Sequence, residues 1–167
     1  GLKSWLARSG ATESGLMIDA PKGGFTVRAP IGAQMIPMDS LRQLVELGVA
    51  EQIADARSAG RFAGVDPEPR AGLRGGHMPG ASNVPIASLI NQDGRLRSLD
   101  EIAAAFAAGG IQTDRPVITT CGSGVTACGL ALGLALLGND NVFVYDGSWS
   151  EWGASDAPIE TSTPSPA

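Results

Sequence analysis

Cys121 is the residue best placed in this sequence to do covalent chemistry. It follows the run Pro116-Val117-Ile118-Thr119-Thr120 and precedes Gly122-Ser123-Gly124-Val125-Thr126-Ala127. The first run reads as a buried strand, the glycines and Ser123 as a tight loop, and Gly124 to Leu137 as a helix. A thiol between a strand end and a helix start lies near backbone N–H groups and the positive end of the helix dipole. Both favour the thiolate, the reactive form. The loop holds no Lys or Arg, so charge stabilisation within it falls to main-chain donors. Gly122 and Gly124 let the backbone turn inward with no Cβ in the way. Val125 and Thr126 open the helix, and the Thr126 hydroxyl is a further donor for the cradle. Ser123 is placed to bond a substrate or its leaving group. Cysteine phosphatase chemistry is excluded, because it needs an Arg six residues after the nucleophile and Ala127 stands there. Gly122-Ser123-Gly124 fails as a serine hydrolase elbow, because Cys121 occupies the place of the first glycine.

The elements that must position this loop alternate along the chain. Gly1 to Ser9 has helical character, and Gly10 to Gly24 reads as a linker. Phe25 to Arg28 and Met35 to Met38 read as extended pieces. Asp39 or Ser40 caps a helix over about Leu41–Leu47, stopped by Gly48. Gln52–Ala56 is a short strand running into Arg57, Ala59–Gly64 a turn or short helix, and Val65–Gly76 a loop. Ser82–Pro85 is a strand. Ser98 and Glu101 form a capping box that opens an Ala-rich helix ending at Gly109-Gly110. Asn141–Tyr145 is the last strand, followed by a short helix with Trp149 and Trp152. Such alternation predicts an α/β domain with a parallel sheet covered on both faces and a site at the carboxyl ends of its strands. Gly1–Ala7 also aligns on Ser148–Ala154, with Trp5 on Trp152, Ala7 on Ala154 and, at the same offset, Glu13 on Glu160. This weak repeat suggests the closing helix of a similar domain placed before this one.

Composition narrows the partners. A chain of 167 residues is long enough for one domain with a sizeable core. A net charge of −5 with no basic run argues against nucleic acid. The apolar stretch Leu130–Leu137 is too short to span a bilayer, so no membrane partner is expected. The N-terminus lacks a basic region followed by an apolar core, so no signal peptide is expected. Cys121 and Cys128, seven residues apart, do not outline a disulfide framework, and a cytoplasmic location is expected. With one His and two Cys, no metal site is expected. His77 reads as a turn histidine bonded to backbone rather than a base for Cys121. Cys128 reads as a small buried packing residue. Asp55 and Arg57 read as a structural pair at a strand end, and Trp149 and Trp152 as packing residues.

Several short motifs carry a family resemblance. Cys121-Gly122-Ser123-Gly124-Val125-Thr126-Ala127 resembles the active loop of the mercaptopyruvate-using branch of the rhodanese family. Asp55-Ala56-Arg57-Ser58-Ala59-Gly60-Arg61-Phe62 resembles that family's first motif. Pro67-Glu68-Pro69-Arg70, then Gly76-His77-Met78-Pro79-Gly80-Ala81-Ser82-Asn83, follow in the family's order. Asp146-Gly147-Ser148 with Trp149 and Trp152 resembles its closing motif. The thiosulfate-using branch carries basic residues after the cysteine, where this chain has Gly122 and Ser123. The resemblance implies a rhodanese-like three-layer α/β domain over 35–160, after a remnant helix and linker (1–34) and before a flexible tail (161–167).

It also implies sulfur transfer from 3-mercaptopyruvate through a Cys121 persulfide to a thiol or cyanide acceptor, with release of pyruvate and with Ser123 as a second catalytic residue. Arg61 and Arg70 would hold the substrate carboxylate, in preference to pairing at the surface with Asp66 or Glu68. The backbone at Gly122, Gly124, Val125 and Thr126 would stabilise the sulfur anion. No metal or organic cofactor is implied. The acceptor would be a thioredoxin-like dithiol, and a preceding rhodanese domain would supply a His and an Asp to couple with Ser123. The alternatives are a thiosulfate sulfurtransferase and a non-catalytic rhodanese-like module or half-enzyme.

Overall fold

The computed structural model describes residues 1–16, 22–26, 34–48 and 52–162. Contacts divide the chain into two units, Gly1–Pro30 and Ile31–Ala167. The first contains helix α1 (Leu2–Ala7), which buries none of its residues. Trp5 is exposed and its indole N–H donates to the Ala11 carbonyl at 2.8 Å. Phe25 and Thr26 are in no strand, and the rest of that expected extended segment lies outside the described residues. So do residues 163–167 of the expected tail.

The second unit is built in the order β1 (Gln34–Met35), α2 (Met38–Glu46), β2 (Gln52–Asp55), α3 (Ala59–Ala63) and β3 (Ala81–Asn83). A 3-10 turn over Ile86–Ser88 leads on to α4 (Leu99–Ala108), β4 (Val117–Thr120), α5 (Val125–Leu136), β5 (Val142–Val144) and α6 (Ser148–Trp152). The sheet runs β1-β5-β4-β2-β3, and every neighbouring pair is parallel.

Side chains alternate across a strand, so each strand feeds two cores. In β2, Ala54 joins one core and Ile53 the other; in β4, Val117 and Ile118 divide in the same way. The first core gathers Ile102 and Phe106 of α4 and Leu130 and Leu134 of α5. The second gathers Leu41 and Val45 of α2 and Trp149 and Trp152 of α6. The result is three layers, with β4 buried along its whole length.

Local signals set most boundaries. Ser98 and Glu101 make both bonds of the capping box at the start of α4. Helix α2 starts three residues earlier than expected, because Pro37 is extended at φ −76° and takes the cap position itself, leaving Asp39 in the first turn. Gly48, at φ +64°, follows the end of α2. Cys128 is a correction: it is exposed, not buried. Helix α5 turns Ala127, Leu130, Ala131 and Leu134 inward. At about 100° per residue, position 128 swings off that stripe to the outer face. No helix among the described residues is long and apolar enough to cross a membrane.

Candidate active site

The loop after β4 is held from below by the start of α6. Ser148 is buried and sits at φ +50°, a conformation that side chains other than glycine rarely adopt. Its Oγ accepts the N–H of Cys121 at 3.1 Å and the N–H of Gly124 at 3.0 Å, and donates to the Tyr145 carbonyl at 2.9 Å. The Trp149 N–H donates to the Cys121 carbonyl at 2.9 Å and the Ser150 N–H to the Gly122 carbonyl at 3.0 Å. One residue of α6 thus satisfies two amides of the loop, and the next two anchor its carbonyls. Gly124 caps α5 at φ +83°, a left-handed conformation that admits its close approach to Asp146.

Cys121 is only 1% exposed. It is not sealed, because it lines a cavity of about 330 Å³. Burial pushes the thiol up, but it is outweighed by the Thr126 hydroxyl, the Ser123 and Ala127 N–H groups and the Ser148 hydroxyl. The net result lies below the ordinary thiol value. The Ser123 N–H lies 3.4 Å from Sγ and the Ser148 Oγ 3.8 Å from it. The site stabilises a thiolate with neutral donors.

Above the sulfur, the same cavity is lined by Arg61 and Arg70. Arg61 comes from α3, whose start follows a buried ion pair. Arg57 donates to both Asp55 oxygens, and both side chains are 1% exposed. The guanidinium of Arg57 also lies over the Trp149 ring, 4.1 Å from its centroid. Its Nη1 reaches Glu68 at 2.8 Å, and Glu68 in turn takes the Arg61 Nη2 at 2.5 Å and its Nε at 3.3 Å. Arg61 therefore lines the cavity and pairs with Glu68 at once, so the two readings of this residue are not alternatives. Arg70 pairs with neither Asp66 nor Glu68. Its Nη1 donates to Ser150 Oγ, which itself donates to the Gly122 carbonyl at 2.5 Å.

The structure brings Cys121, Gly122, Ser123, Val125, Thr126, Arg61 and Arg70 to one cavity. Gly124 is the exception and a correction. It is buried and its N–H is taken by Ser148, so it shapes the loop instead of facing a ligand. His77 is buried elsewhere: its Nδ1 lies 2.8 Å from the Phe62 carbonyl and its ring stacks on Phe62 with centroids 3.9 Å apart. Two residues at the site, Ser148 and Ser150, had no role in the sequence reading, and Glu68 figured there only as a surface partner for an arginine, whereas it is buried. The run Asp146-Gly147-Ser148 stood out as a motif, but nothing in it announced a serine hydroxyl under a loop 24 to 27 residues away. Among the described residues, no cluster of three or more His, Cys, Asp or Glu could hold a metal ion.

Residues 38–155 match the rhodanese-like domain family. The chain belongs to the rhodanese family. It is 44% identical over 161 residues to a 3-mercaptopyruvate sulfurtransferase of Escherichia coli, covering 96% of this chain and 56% of that protein. A human 3-mercaptopyruvate sulfurtransferase is 38% identical over 157 residues, covering 91% of this chain and 50% of that one. Among solved structures, SseA from Escherichia coli superposes with a TM-score of 0.67 at 39% identity, covering 90% of this chain and 55% of the other. This rhodanese-family chain thus spans about half the length of the relatives it matches.

Proposed function

We propose that this chain carries the sulfur-transferring site of a 3-mercaptopyruvate sulfurtransferase. The observation that carries the reading is a thiolate-favouring cysteine at the floor of a cavity that also holds two arginines. The Cys121 thiolate attacks the substrate sulfur and an S–S bond forms. The C–S bond breaks, and its electron pair leaves with carbon as the pyruvate enolate. The enolate takes up the proton that the substrate thiol gives up and becomes pyruvate. The persulfide anion remains on Cys121 within the same donors that favoured the thiolate. Arg61 and Arg70 hold the substrate carboxylate, for which a guanidinium fork is well matched. Ser123, exposed at the cavity wall, bonds the leaving enolate oxygen. A second thiolate, such as that of a thioredoxin-like dithiol, or cyanide then takes the outer sulfur. In this reading residues 1–34 are the end of a preceding, similar domain and its linker, which accords with the greater length of the relatives.

The test is intact-mass measurement after incubation with 3-mercaptopyruvate. A gain of one sulfur on the wild-type chain is expected, with none on Cys121→Ser; an unchanged wild-type mass overturns the reading for this chain. Removing either arginine as Arg61→Ala or Arg70→Ala takes away a charge-assisted carboxylate contact of about 1.5–3 kcal/mol. KM for 3-mercaptopyruvate is then expected to rise roughly tenfold to a hundredfold, with a smaller change in kcat. Steady-state kinetics in which neither variant changes KM would show that the carboxylate binds elsewhere.

A further inference from the structure

Glu68 is an anion built into an anion-binding cavity. Its side chain is 3% exposed, lies between Arg57 and Arg61, and lines the cavity with Arg61 and Arg70. Arg57 does not need it for neutralisation, because Asp55 already engages Arg57 and the Gly76 carbonyl accepts from the same guanidinium at 2.8 Å. The charge of Glu68 therefore falls on Arg61. The contact is side-on, through Nε and Nη2. That leaves the end of the guanidinium, the Nη1 and Nη2 fork, beside the active loop: a Cβ on Gly122 would lie 2.9 Å from Nη2.

Two consequences follow. Glu68 fixes which edge of Arg61 meets a ligand. It also sets the charge a ligand meets, since the charged side chains lining the cavity are Arg61, Arg70 and Glu68, with Cys121 as the thiolate. Two cations and two anions leave the cavity neutral before a ligand enters. A singly charged ligand then makes it −1, and a doubly charged one −2. Without Glu68 the empty cavity would be +1, which favours a dianion over a monoanion by one extra unit of Coulomb attraction.

We propose that Glu68 is a positioning and specificity-determining residue: it holds Arg61 side-on and, by its charge, matches the cavity to singly charged carboxylates against dianions. The inference rests on the functional reading above for the identity of the site, but its test does not require turnover. Cys121 is alkylated with iodoacetamide in the presence of pyruvate, a monocarboxylate, or sulfate, a dianion, and the concentration giving half-protection is measured for each. Replacing the carboxylate by its neutral isostere, Glu68→Gln, is expected to shift the pyruvate-to-sulfate ratio of these concentrations by about tenfold in favour of sulfate. Glu68→Asp keeps the charge on a shorter arm. It is expected to weaken protection by both anions severalfold, with their ratio held within about twofold of wild type. An unchanged ratio in Glu68→Gln overturns the proposal. Should Glu68→Gln fail to fold, undiminished protection or an altered ratio in Glu68→Asp overturns it instead. Failure of both anions to protect the wild-type thiol also overturns it. A wild-type chain that is protected but acquires no sulfur sinks only the functional reading.

Discussion

Ser148→Ala is expected to lower the stability of the domain and to move the reactivity of Cys121 to higher pH. The Ser148 Oγ accepts from the N–H groups of Cys121 and Gly124, and its single proton is shared between the Tyr145 carbonyl at 2.9 Å and the Cys121 sulfur at 3.8 Å. All of this is buried, so alanine leaves two amides without a partner and water has no ready way in. Each orphaned group costs about 1–3 kcal/mol. A loss near 3 kcal/mol corresponds to a fall in Tm of roughly 10 °C for a domain of this size. The sign of the pH effect follows from the cradle. Ser148 is one of the donors that draw the Cys121 thiol below its ordinary value. Removing it raises that value, so less thiolate is present at neutral pH and the alkylation profile shifts to the alkaline side. Ser148→Gly separates strain from bonding. It relaxes the residue at φ +50° and recovers part of the stability, yet keeps the shifted profile because the hydroxyl is still missing. Thermal melts and iodoacetamide rates across pH report the two effects independently. Wild-type melting and an unmoved profile in Ser148→Ala would mean that the hydroxyl supports neither the loop nor the thiolate.

Gly124→Ala is expected to be as damaging, by a different route. The new methyl group would lie 2.6 Å from Asp146 Oδ1 and 2.7 Å from the Asp146 carbonyl oxygen, the latter being backbone that cannot swing aside. The left-handed conformation at φ +83° adds about 1–2 kcal/mol for a residue with a Cβ, and the forced shift about 1–3 kcal/mol more. The loop must move away from Ser148 to relieve the contact, and the cradle around Sγ opens. Loss of stability together with loss of persulfide formation is the expected outcome, read by thermal melting and intact mass. Gly122 is the comparison. Its Cβ would meet the Arg61 guanidinium at 2.9 Å, the far end of a flexible side chain. Gly122→Ala should therefore leave Tm near wild type and change KM. Equal behaviour of the two alanine variants would show that loop shape at position 124 is not under this constraint.

The parts of the molecule that depend on neighbours in sequence were legible from it. The strand-loop-helix around Cys121, the capping box at Ser98 and the Asp55–Arg57 pair each arise within a few residues, where backbone geometry and side-chain chemistry act directly on one another. The alternation of strands and helices likewise implied a covered parallel sheet, because only that arrangement buries strands that are apolar on both faces. The motif resemblance identified Arg61 and Arg70, but it did not show that one is held by a buried carboxylate and the other by a serine hydroxyl.

Cys128 shows how little periodicity says about a helix that is apolar nearly all round. With no polar face to orient α5, composition could not distinguish its inner side from its outer one, and packing on the sheet made the choice. Glu68 and Ser148 belong to the same class of fact. Each acts by reaching across space, Glu68 from a proline-flanked loop to two arginines, and Ser148 from the start of α6 to amides that precede it by 24 and 27 residues. The amino-acid order alone determined the candidate nucleophile, its neutral loop and the layered fold, since these follow from short-range chemistry and burial. Only the folded chain decided which hydroxyl supports the loop, which edge of Arg61 is free and what charge the cavity holds, since those depend on distances between residues that the sequence does not order.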